Sequence, residues 1–260
     1  EIKKMNLVDT HSHIYGEEFA EDREQVIARL KANHITKVYF PNIDSSTIEA
    51  MHTMEAMEPE MFRCMMGLHP TSVGENYKKE LETVDHWLKE RAYAAIGEIG
   101  IDLYWDDKYK KEQTEAFETQ IKMSIEKDLP IIIHARNAFE EIVASIRRFR
   151  KGSVRGIFHS FTGSREEADT IFGLGEFKLG INGIITFKNS TLGNLIQDIP
   201  IDKIVLETDS PYLTPVPFRG KRNESSYIIY IAQKIGEIKG MTAEEVGEKT
   251  KANAEEAFSL

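Results

Sequence analysis

The feature that most constrains the fold is an alternation of short apolar segments with longer amphipathic segments. Eight segments rich in branched and aromatic residues have the length of buried β-strands. They are predicted at 7–13, 37–41, 62–68, 92–96, 130–134, 154–159, 177–181 and 203–207. Helical patterns separate them, and two further helices are expected at 226–239 and 242–258.

This alternation indicates parallel strands, because helices usually form the crossovers between parallel strands. Eight such units in 260 residues predict an α/β fold, a TIM (β/α)8 barrel that covers 1–260 as a single domain. An open, doubly wound sheet is the alternative fold. It has less support, because no G-x-G-x-x-G sequence follows an early strand.

Composition and charge argue against several classes of protein. No apolar run approaches the roughly 20 residues that span a bilayer, and the charged segment 1–5 has no signal-peptide character. Because the single cysteine, Cys64, cannot form an internal disulfide, we expect a reducing, cytoplasmic location. The net charge of −10 disfavours broad binding of nucleic acid, although it allows a local basic patch. Nothing in the sequence indicates a membrane contact or an obligate protein partner.

Histidines and carboxylates occur where the predicted strands end. His11 and His13 are two positions apart, so on a strand they would face the same side and could bind one metal ion. Later strands end in His69, Glu98, His134, His159 and Asp209. Each of these residues could separately be a capping or core residue. Together they predict a metal site, because the C-terminal strand ends of a TIM barrel form its active-site face.

A mixed set of nitrogen and oxygen ligands suits Zn²⁺, Mn²⁺ or Fe²⁺, and Mg²⁺ where water completes the coordination. Four histidines with two carboxylates make six ligands, which exceed the needs of one tetrahedral ion, so we expect two divalent ions. Glu98 is the natural bridge between them, because a carboxylate has two oxygens. Asp209 is expected to accept the proton of the attacking water. Glu98 and Asp209 are therefore the predicted catalytic residues.

Seven short motifs closely resemble those of the TatD family of metal-dependent deoxyribonucleases, which belongs to an amidohydrolase-like group of barrels. They are DTHSH at 9–13, GLHP at 67–70, GEIGID at 97–102, IHAR at 133–136, HSFTG at 159–163, LETDSPYL at 206–213 and RGKRNE at 219–224. The resemblance runs from Val8 to the C-terminal helix. It implies a phosphodiesterase acting on DNA, often a 3′–5′ exonuclease, that uses Mg²⁺ or another divalent ion.

The same resemblance implies roles for individual residues. His69 is expected near the substrate phosphate, and the implied metal ligands are His11, His13, Glu98, His134, His159 and Asp209.

Basic side chains near the predicted face favour a phosphodiester substrate. The loop after the eighth strand carries Arg219, Lys221 and Arg222, and arginine can bind phosphate with two parallel hydrogen bonds. Arg136 is expected on the same side of its strand as His134. We therefore predict these four cations as contacts to single-stranded DNA or to DNA ends.

Other functions remain open at this point. The same metal chemistry would attack a small ester, amide or lactone, or the aminoacyl ester of tRNA, because fold does not fix function. A non-catalytic binding protein on a barrel frame is a third hypothesis, which the full ligand set disfavours. Tyr104 and Trp105 could stack a terminal base or cover the barrel rim.

Overall fold

Eight parallel strands form the centre of the fold, as the sequence predicts. The computed structural model describes residues 5–259, so residues 1–4 and 260 of the predicted single domain lie outside the described residues. The strands are β1 Leu7–Asp9, β2 Ile35–Phe40, β3 Phe62–Cys64, β4 Ile96–Asp102, β5 Ile131–Arg136, β6 Gly156–Phe158, β7 Phe177–Ile181 and β8 Ile204–Leu206.

Helices follow the strands and pack against their outer faces, as expected for crossover connections. They are α1 Arg23–Ala32, α2 Ile48–Met57, α3 Tyr77–Glu90, α4 Lys110–Lys127, α5 Phe139–Arg147, α6 Arg165–Leu174, α7 Leu192–Asp198, α8 Ile228–Lys239 and α9 Ala243–Ala257. Within residues 5–259, no helix combines the length and the apolar character needed to cross a membrane.

The strands pair in chain order, β1 to β3 and β4 to β8, and two seams close the ring. At one seam, Met66 and Ile96 form a parallel bridge. At the other, the Thr10 amide donates to the Leu206 carbonyl at 3.0 Å. The prediction of a closed (β/α)8 barrel is therefore confirmed.

The C-terminal segment covers the N-terminal end of the barrel. Residues such as Val8, Ile132 and Val205 form a small apolar cluster that also contains Phe258, just after α9. The Phe258 ring stacks on Tyr39 with centroids 3.8 Å apart. With this end covered, the opposite end carries the large cavity described below.

Several strand ends differ from the prediction. The first strand was expected to reach residue 13 but ends at Asp9, and the third was expected to reach 68 but ends at Cys64. The backbone after β1 divides its hydrogen bonds between two sides, because the Ser12 amide still donates to Tyr39 in β2, whereas the His13 amide donates to the Ser210 carbonyl in the loop after β8. The histidine pair therefore lies in the loop after β1 and not within a strand.

Candidate metal centre

A cavity of about 810 Å³ opens at the C-terminal ends of the strands. Its walls contain all but one of the predicted metal ligands, together with His69. They are His13, His69, Glu98, His134, His159 and Asp209. The remaining ligand, His11, is buried against them. The structure thus brings together residues that lie within or just after six of the eight strands.

Glu98 lies at the centre of this cluster and is itself buried. Its Oε2 atom is 3.1 Å from His11 Nε2 and 3.8 Å from His13 Nε2. Its Oε1 atom faces the other histidines, at 3.1 Å from His134 Nδ1, 3.3 Å from His69 Nε2 and 3.5 Å from His159 Nε2. The two oxygens of one carboxylate therefore face two different groups of imidazoles, which is the arrangement that a bridging ligand needs.

Asp209 faces the same group as the Oε2 side of Glu98. Its Oδ1 atom is 3.3 Å from His13 Nε2 and 3.5 Å from His11 Nε2. The Asp209 amide donates to the His11 carbonyl at 2.9 Å, so the β1–β8 seam fixes this approach. The ligand atoms of His11, His13 and Asp209 all lie within 4.8 Å of one another. So do those of His11, Glu98 and His159, and those of His69, Glu98 and His134.

Two further buried carboxylates lie behind the histidines. Glu207 Oε2 is 2.9 Å from His159 Nδ1, and Asp102 Oδ2 is 2.8 Å from His134 Nε2. Each carboxylate accepts the N–H of one ring nitrogen and so directs the other nitrogen toward Glu98. Carboxylates in this position commonly fix the orientation and tautomer of metal-binding histidines.

Gly180 in β7 provides the space that Glu207 occupies. A Cβ atom at this position would lie 2.3 Å from Glu207 Oε2, well inside van der Waals contact. The Glu207 carboxylate also accepts hydrogen bonds from the Ser160 amide at 2.6 Å and from Asn182 Nδ2 at 3.1 Å. Its position is therefore fixed by three donors and by the absence of a side chain on β7.

The carboxylates change the ionisation of the histidines. Burial alone would lower the pKa of His159, but facing carboxylates, Glu207 foremost, raise it to about 10. Burial likewise opposes protonation of His134, whose pKa is raised to about 9 by Asp102 and Glu98. Without a bound ion, both rings are therefore protonated on both nitrogens near neutral pH, and a metal would have to displace one proton from each ring.

The pKa values of the two candidate carboxylate ligands, Glu98 and Asp209, change in the opposite direction. Burial alone would raise the pKa of Glu98, but the surrounding histidines, led by His11, hold it well below its ordinary value. The pKa of Asp209 is lowered against the effect of burial, chiefly by His159. Both carboxylates are therefore ionised near neutral pH, which is the form that binds metal.

His11 gives the clearest test of whether a metal fits. Burial lowers its pKa, so the ring is neutral, and it stacks on His159 with centroids 3.5 Å apart. Neither ring nitrogen makes a well-formed hydrogen bond within residues 5–259, although both are buried. An unsatisfied buried polar atom is costly, and a cation beside Nε2 would satisfy it. The residues present therefore fit a divalent metal ion.

His69 differs from the other histidines of the cluster. Its Nδ1 atom accepts from the Thr71 amide at 3.1 Å and lies 2.8 Å from the Thr71 hydroxyl. A neutral ring with Nδ1 accepting carries its proton on Nε2. That nitrogen points at Glu98 Oε1, so His69 is arranged to donate a hydrogen bond and not to ligate a metal.

The predicted cationic contacts divide into two groups. Arg136 lines the cavity, with its guanidinium 3.6 Å above the Tyr104 ring. The three cations of the 219–222 loop do not line it. Arg222 pairs with Asp22 at 2.6 Å, and Arg219 stacks on Phe187 at 3.8 Å.

Lys221 lies 5.7 Å from the ring of Phe218 in the same loop. The three cations of this loop thus lie outside the cavity wall and have other partners, and their contact with DNA stays a prediction. Arg222 in particular is held by an acidic side chain next to α1.

Sequence reasoning assigned no role to Asp102 and Glu207. Their signal lies in spacing, because Glu207 precedes Asp209 by two positions and Asp102 follows Glu98 by four. Buried acidic residues that close to predicted ligands indicate outer partners of the histidines.

Comparison with known proteins extends these observations. Residues 8–259 match the family described as TatD related DNase. The chain is 39% identical over 256 residues to the uncharacterized metal-dependent hydrolase YabD of Bacillus subtilis, covering 98% of this chain and 99% of that protein. It is 27% identical over 260 residues to the 3′-5′ ssDNA/RNA exonuclease TatD of Pectobacterium carotovorum, covering 98% and 100%. The crystal structure of YJJV, a TatD homolog from Escherichia coli K12, superposes with a TM-score of 0.89 at 26% identity, covering 98% of each chain.

Proposed function

Because the chain belongs to the TatD family of metal-dependent hydrolases in the amidohydrolase superfamily, we propose that it cleaves phosphodiester bonds of DNA. We propose a 3′–5′ exonuclease that acts on single strands or ends. The observation that carries this proposal is Glu98, whose two oxygens face two imidazole groups at the base of an open cavity. The activity in the name of the Pectobacterium relative supports the choice of substrate.

We propose that two divalent ions share Glu98. One would be held by His11, His13 and Asp209, and the other by His134 and His159. Divalent ions supply a nucleophilic water near neutral pH and stabilise charge on the phosphoryl group, and Mg²⁺, Mn²⁺ and Zn²⁺ all suit this donor set.

The remaining chemistry belongs to the side chains. Asp209 lines the cavity, and its lowered pKa keeps it ionised, so its carboxylate can accept the proton of an attacking water. His69 lines the cavity with Nε2 3.3 Å from Glu98 Oε1, and its N–H can be shared with a phosphate oxygen bound beside Glu98. Arg136 can neutralise the same phosphate.

The test uses protein stripped of metal by a chelator and then supplied with Mg²⁺, Mn²⁺ or Zn²⁺. The substrates are 5′-labelled single-stranded DNA, RNA of the same sequence and blunt duplex DNA. We expect metal-dependent ladders that shorten from the 3′ end. Cleavage of a lactone or carboxylester with all nucleic acids left intact would replace this proposal by the small-molecule alternative.

Two glutamate variants distinguish a loss of activity at the metal centre from a general effect of replacing a carboxylate. Glu98→Gln keeps the shape but removes the bridging charge, and we expect it to lose about a hundredfold of activity or more. Glu55→Gln makes the same change in a half-buried carboxylate that pairs with Arg91 far from the cavity, and it should retain activity. Full turnover by Glu98→Gln at unchanged metal content would contradict the bridging role.

A further inference from the structure

The rim of the metal cavity carries an exposed aromatic pair. Trp105 is 72% exposed and Tyr104 is 50% exposed, although most large apolar side chains of the chain are buried. Their rings meet edge to face with centroids 4.9 Å apart. Trp105 also lines the cavity that contains Glu98 and His134. A large aromatic surface is thus presented to solvent beside the candidate centre.

The backbone ties this pair to the metal-binding residues. Asp102 accepts from the Tyr104 amide through Oδ1 at 3.0 Å, while its Oδ2 faces His134 Nε2 at 2.8 Å. The Leu103 amide donates to the Arg136 carbonyl at 2.9 Å. The backbone that leads into the aromatic pair is therefore anchored beside the candidate ligands.

Arg136 completes the arrangement. Its guanidinium lies 3.6 Å from the Tyr104 ring centroid and 5.5 Å from that of Trp105. A guanidinium stacked by its face keeps its N–H edge available for a phosphate. No side chain or carbonyl within residues 5–259 accepts from this edge. Tyr104 thus supports Arg136, and the Trp105 ring is the more open aromatic surface.

We propose that Trp105 stacks one unpaired nucleobase of the substrate strand, with Arg136 binding an adjacent phosphate. This inference rests on the proposed nuclease function and adds a base-binding subsite to it. Aromatic side chains stack on any base, so the subsite would be tolerant of sequence. It would select single strands or frayed ends, because a base inside a duplex has both faces covered by its neighbours.

Intrinsic fluorescence provides a direct readout. The chain has two tryptophans, and Trp87 lies in α3 in edge contact with the rings of His52 and His86. Trp87→Phe therefore leaves Trp105 as the single reporter. The metal-loaded protein is titrated with a short phosphorothioate DNA strand, which resists hydrolysis, and with an abasic strand of equal length and charge. We expect the base-containing strand to quench Trp105 and the abasic strand to leave it unchanged.

Binding by variants gives the second measurement, using fluorescence anisotropy of labelled strands. Trp105→Ala should weaken binding of the base-containing strand by roughly tenfold to a hundredfold. It should leave binding of the abasic strand unchanged, and Trp105→Phe should restore most of the loss. Equal weakening of both strands would overturn the subsite in favour of a structural lid at the rim.

The outcomes also separate this inference from the proposed function. Cleavage of unmodified single-stranded DNA without quenching of Trp105 would overturn the base subsite alone. Failure of the metal-loaded protein to bind or cleave any nucleic acid would overturn the nuclease proposal and the subsite with it.

Discussion

Replacing Glu207 by glutamine would reverse one hydrogen bond in the metal centre and keep the shape of the side chain. The carboxylate only accepts, so His159 Nδ1, at 2.9 Å, must carry a proton. Once the ring has released its second proton, His159 Nε2 presents its lone pair toward Glu98 and Asp209. In the variant, the amide oxygen would remain opposite the Ser160 amide, and the NH2 group would face His159 Nδ1.

The size of the effect follows from this geometry. With an NH2 group opposite Nδ1, the proton of His159 moves to Nε2, the nitrogen that would bind metal. If the amide flips instead, the partly buried Ser160 N–H loses its acceptor. Either result leaves one buried polar group mismatched, at a cost of about 1–3 kcal/mol. This corresponds to roughly 5- to 150-fold in metal affinity, in line with the 10- to 100-fold typical of outer partners of ligands.

The assay is calorimetric titration of the metal-stripped protein with Zn²⁺ or Mn²⁺, which does not depend on catalysis. Glu55→Gln is the matched control, because Glu55 accepts from the Cys64 amide at 2.9 Å and pairs with Arg91 away from the cavity. It should lower the midpoint of thermal unfolding and leave metal affinity unchanged. If Glu207→Gln bound metal within twofold of the parent protein, the tautomer argument would be refuted.

Three further predictions concern phosphate contacts and pH. Arg136→Gln should weaken binding of single-stranded DNA and reduce the slope of log affinity against log salt by about 0.7, the value for one lost phosphate contact. Arg222→Gln is the control and should leave the slope unchanged, because Arg222 is paired with Asp22. Equal slopes in both variants would contradict this prediction. Metal affinity should rise between pH 6 and pH 8 by up to about a hundredfold per pH unit, because the pKa values of His134 and His159, about 9 and 10, require each ring to release a proton. By the same linkage, the protonated rings stabilise the metal-free protein fully at pH values below about 6.5, and this stabilisation is lost as the pH rises through 9 to 10. Thermal unfolding of the metal-free protein at graded pH would detect the loss.

The barrel was predictable because each strand carries its own signal. The run of isoleucines in β5 is buried on both faces, and similar short apolar runs recur between helices. The ends of strands were less predictable, because they depend on partners distant in the sequence. Residues 10–13 alternate between Tyr39 in β2 and the β8 side at Leu206 and Ser210, and no local pattern in the sequence encodes that alternation.

Part of the candidate site could also be predicted from the sequence. Histidines at strand ends are rare enough to stand out, so the predicted ligands could be identified by type and position. Glu207 and Asp102 resemble ordinary polar residues at the ends of strands, and only the structure shows which ring each one contacts. The position of the 219–222 loop could not be predicted from its sequence, because the partner of Arg222 is Asp22, 200 positions earlier in the chain.

The metal centre lies across the seam between β1 and β8, so a bound cation would also hold the barrel closed there. Thr10 and Leu206, which join there, are 196 positions apart in the chain. A cation held by His11 and His13 on one side and Asp209 on the other would act as a clasp across that line. Such a clasp forms only after the ring has closed, since an open sheet would keep the two halves of the coordination set apart. Metal at a hundred times its dissociation constant would favour the closed ring by about 2.7 kcal/mol, so loss of metal would loosen the barrel along this one line.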